Sequence, residues 1–302
     1  MPVARKIHRF LEKRLRTREH YRKPVVPTED ASRLVATAIR EARPFAAGKL
    51  GSEEVSCVRE VLLARRFGWQ PWWERQASNL HHIAGIFPPS EEVFAGFADL
   101  YLERMKEMDL IGVWNRLGEA SLLATYAPQA TLTPFPEIEP FEQKEPWTAA
   151  LAGKRVLVVS PFAATITRQY ARRRDVWPTR PGLLPDFSLR VVKAPLSDGI
   201  VKSPFPDWFA ALAALEGELA LEPFDVAIVG AGAFSLPLVV AAKRLGAVAF
   251  HLGGATQILF GIRGRRWEGT PEFEALTSPA WVRPSPEETP TKVHMVEDAC
   301  YW

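Results

Sequence analysis

Hydrophobic and polar positions along the chain switch repeatedly between a short apolar run and a helical period. Lys154–Ser160 (KRVLVVS), Leu189–Ala194, Asp225–Val229 and Val248–Leu252 are brief runs rich in β-branched residues, which predict buried strands. Helical spacing follows them: from Pro161 to about Arg173, from Trp208 to Leu221 behind an Asp207 cap, and from Leu236 to Leu245 up to Gly246. Upstream, Pro44–Leu50 predicts a strand and Val55–Arg65 a helix. Ser90 caps a helix to about Met108, Leu110–Trp114 is a strand, and Glu119–Tyr126 is a short helix. Thr28 or Asp30 caps a first helix to about Ala42, and Trp147–Ala152 forms a short one. The stretch between Tyr126 and Glu145 reads as a Pro-rich link, and residues 174–186 and 195–206 read as loops.

This alternation predicts an α/β fold: a Rossmann-like parallel sheet with helices on both faces, a helical N-terminal part and an irregular packed C-terminal tail. The tail carries Phe273, Leu276, Trp281, Val282, Met295 and Val296, a content foreign to disordered segments. The expected organisation is a basic N-terminal helix over 1–27, a helical and α/β part over 28–150, and a nucleotide-binding part with tail over 151–302. The last two read equally as one continuous domain.

Composition narrows the function classes. No apolar run approaches the roughly 20 residues of a membrane span, and no apolar signal core is visible near the N-terminus, so a cytoplasmic protein is expected. Cys57 and Cys300 provide neither a disulfide framework nor a zinc knuckle. The net charge of +3 conceals an asymmetry: residues 1–23 hold nine Lys/Arg against Glu12 and Glu19, leaving a mildly acidic body. That distribution excludes a nucleic-acid-binding core. Val3, Ile7, Phe10, Leu11 and Leu15 share a helical face within the basic head. Two readings stay open there: a peripheral contact with the inner face of a membrane, or a solvated helix resting its stripe on the protein. The adjacent His81 and His82 project differently on a helix and read as a hydrogen-bonded structural pair.

Candidate chemistry gathers at the strand-to-helix turns Gly51-Ser52, Ser160-Pro161-Phe162, Gly230-Ala231-Gly232 and Gly253-Gly254. Small residues let a ligand approach the backbone, helix N-termini present free N–H groups to anions, and parallel topology sets such turns on one edge. Gly230-x-Gly232 opens like a dinucleotide fingerprint. Ser235, however, replaces the third glycine, and Val248–His251 holds no acid where a ribose partner belongs. A Gly-Lys-Ser/Thr phosphate loop is absent. Gln257 and the run Ile262–Trp267 follow, in which Arg265 and Arg266 match phosphate oxygens and Trp267 can stack on a base or sugar. Glu53 and Glu54 also have a purely structural account as first-turn acids behind a Ser52 cap.

The runs Gly230–Leu238, His251–Gln257 and Phe260–Trp267, with Val156–Ala163 and the Lys49–Glu54 turn, resemble bacterial GT-D-fold glycosyltransferases and relatives associated with polysaccharide assembly. The resemblance spans roughly residues 45–302. It implies sugar transfer from a nucleotide-sugar donor, a uridine diphosphate sugar, to a glycan acceptor. The family's Asp-x-Glu motif, used for donor and Mn²⁺ or Mg²⁺ binding, follows a basic residue and a glycine. Here the matching run is Lys49-Leu50-Gly51-Ser52-Glu53-Glu54, so Glu54 takes the Glu position and Ser52 replaces the Asp. That leaves weak metal dependence, use of Glu53, or loss of activity. The residues expected to act are Glu54, as base and metal contact, and Lys49 near the phosphates. Two other classes stay open: a nucleotide-sugar-binding protein without turnover, and an NAD(P)-dependent oxidoreductase.

Overall fold

In the computed structural model, which describes residues 21–68, 73–135, 137–196, 203–296 and 298–302, seven strands form one parallel sheet. They are β1 (Phe45–Lys49), β2 (Leu110–Val113), β3 (Thr131–Pro134), β4 (Arg155–Ser160), β5 (Ser188–Lys193), β6 (Val226–Val229) and β7 (Val248–His251). Their order across the sheet is β3-β2-β1-β7-β6-β4-β5, so β1 pairs with β7 and joins the early and late parts of the chain.

The helices are α1 (Thr28–Arg40), α2 (Ser52–Phe67), α3 (Trp73–His82), α4 (Glu91–Met105), α5 (Glu119–Tyr126), α6 (Ala163–Ala171), α7 (Arg173–Val176), α8 (Trp208–Ala220), α9 (Ser235–Arg244), α10 (Ala255–Leu259) and α11 (Pro271–Leu276). Strand side chains alternate between two cores, as a sheet covered on both faces requires. Leu157, Val159, Ala227, Val229 and Ala249 meet α2, α4, α5, α8 and α9. Val156, Val158, Ile228, Val248 and Phe250 meet α1, α6, α10 and the tail. Trp147, fully buried, stacks on Phe250 at 4.6 Å.

Strand order explains this division. The steps β1→β2, β2→β3, β5→β6 and β6→β7 run one way across the sheet, and β4→β5 runs the other way. Right-handed crossovers therefore place their helices on opposite faces. Neighbours β1 and β7 send their chains to different faces, and so do β6 and β4, so the carboxyl edge opens into a crevice between them.

The predicted elements recur with few differences. Ser90 and Asp207 cap their helices through Val93 N at 3.3 Å and Ala210 N at 2.8 Å. The first helix instead begins behind Pro27, without a side-chain cap. Ser52 is not a cap either, because Gly51 holds that position and Ser52 is the first helical residue. Strand β3 lies inside the expected Pro-rich link. It is a four-residue strand ending in a proline, paired to β2 and bridged on its other side by Val25 alone, and it has too little apolar pattern to stand out. The tail packs as expected, with Trp281 and Trp302 buried. His81 Nδ1 lies 3.0 Å from the Ile86 carbonyl, a structural role. Of the basic helix expected over 1–27, residues 1–20 lie outside the described ones, and residues 21–27 are not helical. Tyr21 and Lys23 there bind Glu119 and the carbonyls of Pro128 and Ala130. No helix among the described residues is long and apolar enough to cross a membrane.

Candidate active-site crevice

Residues from the carboxyl ends of all seven strands line one crevice of about 820 Å³. That volume suits a nucleotide-sized ligand.

Its centre is the turn after β1. Lys49 is the last residue of β1, and its side chain crosses to the glycine turn after β7. A Cβ built on Gly253 would stand 3.0 Å from Lys49 Cε and 3.3 Å from Nζ. Glycine is required there twice, for this contact and for a left-handed φ of +62°. The Lys49 ammonium also lies over the rings of Phe135 (4.5 Å) and Trp114 (4.9 Å), contacts favourable to a desolvated cation. Burial pulls its pKa below the ordinary lysine value. Glu139 and Glu54 oppose that shift, and Arg266 and Arg116 add to it.

Glu54 occupies the first turn of α2 and folds back over Gly51. A Cβ on Gly51 would fall 1.9 Å from its Oε2, so glycine vacates the space the carboxylate fills. Burial pushes the Glu54 carboxyl up to about 7, against the pull of its own backbone N–H and of Lys49. Glu139, from the turn after β3, is half-buried and lifted to about 8, again chiefly by burial and against Lys49. The charges of two carboxyls from separate turns thus act on one ammonium. Such a group gives up and takes up protons near neutral pH.

The β2 and β3 side supplies a platform. Trp114 donates from Nε1 to the Leu50 carbonyl at 3.1 Å, meets Phe135 edge-on at 5.2 Å, and carries Arg116 over its ring at 3.9 Å. His251, ending β7, is buried with Nδ1 3.0 Å from the Lys49 carbonyl. A carbonyl only accepts, so Nδ1 carries the proton and Nε2 presents a lone pair. Burial, with the Lys49 charge beside it, lowers the His251 pKa to about 3, so the ring is neutral.

The turns after β6 and β7 abut each other. A Cβ on Gly230 would meet the Gly253 carbonyl at 2.5 Å and Thr256 Oγ1 at 2.6 Å. Gly230 therefore serves packing between the two turns. Thr256 Oγ1 and Gln257 Oε1 are buried with no hydrogen-bond partner among the described residues. Gln257 Nε2 donates to the carbonyls of Tyr301 (2.6 Å) and Arg263 (3.1 Å), and Arg266 donates to Tyr301 Oη at 3.0 Å. The tail forms this wall. It is latched by the buried Glu288, which accepts from Ala164 N at 2.7 Å and from Thr165 N and Oγ1 at the start of α6.

Of the residues singled out in the sequence, Lys49, Gly51, Ser52, Glu54, Ser160, Pro161, Phe162, Gly230, Gly232, Gly253, Gly254, Gln257, Arg266 and Trp267 all line the crevice. Arg265 is exposed and stands outside its lining. Trp114, Arg116, Phe135, Glu139, His251, Thr256 and Tyr301 join them without having been singled out as site residues. Glu139 lay in the stretch taken for a link, where only the acid before Pro140 offered a signal.

A divalent cation asks for several hard oxygen ligands on one point. Here Ser52 offers no carboxylate, Glu54 is turned onto Gly51, and the nearby charge is the Lys49 ammonium. Among the described residues, no three His, Cys, Asp or Glu side chains group to hold a metal. The residues present do not fit a protein-held divalent ion.

No protein-family model matches the chain, and no curated protein matches it. Two solved structures are similar in shape, each at a TM-score of 0.41. One is described as a selenomethionine-substituted domain of unknown function 1792, 14% identical over 81% of both chains. The other is 15% identical over 80% of both chains. It is described as the highly conserved domain of unknown function 1792 with a distinct glycosyltransferase fold.

Proposed function

We propose that the crevice transfers a glycosyl group from a nucleoside diphosphate sugar, a uridine diphosphate sugar, to a hydroxyl of a glycan acceptor. The observation that carries this reading is that Lys49, the buried Glu54 and the half-buried Glu139 line one crevice beside the glycine turns of β6 and β7, with both carboxylate charges acting on the lysine. In the reaction the acceptor oxygen bonds to the anomeric carbon, and the bond from that carbon to the phosphate oxygen breaks, its electron pair leaving on the diphosphate. The acceptor's proton passes to a carboxylate. Lys49 and Arg266 offset the charge that grows on the leaving diphosphate. A carboxyl near 7 is matched to proton uptake at neutral pH, which supports Glu54 as the base. The aromatic groups at the two ends, Trp114 with Phe135 and Trp267 with Tyr301, suit a base and a sugar ring.

The test is release of UDP from UDP-sugars in the presence of glycan acceptors. Glu54→Gln is expected to lower turnover by about 10²–10⁴-fold while UDP affinity stays within about twofold. Full turnover in that variant would hand the proton to Glu139. Absence of both UDP binding and release would reject the reading.

One observation favours a binding protein without turnover: Glu54 is only 7% exposed and is occupied with its own helix start. UDP-sugar binding without sugar release selects it. The neutral His251 at the end of β7 argues against nicotinamide chemistry, because a ribose diol lacks its carboxylate there.

A further inference from the structure

We propose that the ammonium of Lys49 is the built-in counter-cation of this crevice, so that the site takes a diphosphate ligand without a divalent metal. This rests on the nucleotide-sugar reading and deepens it. Carboxylates gathered around a substrate diphosphate ordinarily hold a metal ion between them. In this protein the charges of Glu54 and Glu139 act on a side-chain cation instead. Phe135 and Trp114 give that cation a fixed seat, at 4.5 Å and 4.9 Å. Its nitrogen is held against Gly253, where the chain turns into α10.

A second, independent feature points to an anion at the same turn. Thr256, only 1% exposed, lines the crevice with an Oγ1 that has no hydrogen-bond partner among the described residues. A buried hydroxyl left so carries a cost that a ligand oxygen removes. It lies beside Gly230, against which the Gly253 carbonyl also packs, so the hydroxyl and the ammonium address one region. Arg266, exposed on the crevice wall and directed by Tyr301, adds a second positive group. Ser52 belongs to the same logic: with the cation already present as a side chain, the position needs no second carboxylate.

The experiment is calorimetric titration of the full chain with inorganic pyrophosphate and with UDP, once in EDTA and once with Mn²⁺. The expected Kd of each anion agrees within about twofold between the two conditions. Lys49→Met is expected to weaken both anions by about tenfold or more in either condition, the loss of one charge-assisted contact. Removing Lys49 takes a cation away from the buried Glu54 and the half-buried Glu139, so folding is checked by circular dichroism. Arg266→Ala, at an exposed position, serves as the second variant, with a loss of about three- to tenfold expected. UDP binding that appears only with Mn²⁺ overturns the inference and leaves the donor reading standing. Unchanged affinity in folded Lys49→Met also overturns it. No binding of UDP in either condition rejects the donor reading itself.

Discussion

Single residues decide the chemistry of the crevice through the space they leave empty. Gly51 is the sharpest case, since the Glu54 carboxylate fills the place of its side chain. Gly51→Ala is expected to displace that carboxylate and to cost about 1–3 kcal/mol, as overpacking does, which urea denaturation would measure. The same variant should shift the pH dependence of turnover, because Glu54 then loses its buried setting. Lys49, Gly51 and Glu54 were legible as one short run through its resemblance to a family motif, since the residues alone also read as an ordinary helix start. Glu139 and Trp114 were not. Each comes from a different turn, and nothing local marks them as neighbours of Lys49.

At the scale of elements, the tail acts as a wall of the site, and a buried carboxylate holds it. Glu288 is 2% exposed and takes hydrogen bonds from the start of α6 and from Ser285 Oγ at 3.1 Å, while Trp302 donates to its carbonyl at 2.8 Å. Glu288→Gln puts an amide donor against donors. A loss of about 1–3 kcal/mol in thermal or urea unfolding is expected, together with earlier proteolytic cutting in the tail. Strand and helix types were legible wherever β-branched runs and 3.6-residue spacing were strong, as in β4, β6 and α9. Strand β3 escaped because it is short, and its pairing to β2 with the bridge from Val25 supplies the order that its own pattern lacks.

For the whole molecule, the buried groups predict a dependence on pH with two opposing arms. Glu54 and Glu139 hold their protons more tightly in the fold than at the ordinary value of 4.5. Their contribution to stability is complete below that value and is lost as pH rises through about 7 and about 8. His251 works the other way. Its folded value of about 3 lies below the ordinary 6.5, so its contribution is present above 6.5 and is lost as pH falls toward 3. Urea midpoints of the protein and of Glu54→Gln should therefore move apart between about pH 5 and about pH 9, with the variant gaining at the alkaline end. A constant separation would show that Glu54 titrates as an exposed carboxyl does.

The sequence alone determined the class of fold and the turns on which chemistry could stand. Those properties depend on residues close together in the chain: alternation between apolar runs and helical spacing, and glycine or serine where a strand ends. The tertiary structure decided which turns meet. The order β3-β2-β1-β7-β6-β4-β5 sets the turn after β1 beside the turn after β7, 202 residues apart by the contact from His251 to the Lys49 carbonyl. That order also brings the turns after β2 and β3 to Lys49, which sets it over two rings within the charge of two carboxyls, lifts Glu54 and Glu139 toward neutral pH, and holds His251 uncharged. Desolvation and charge act through space, so their consequences became visible only once the strands were paired.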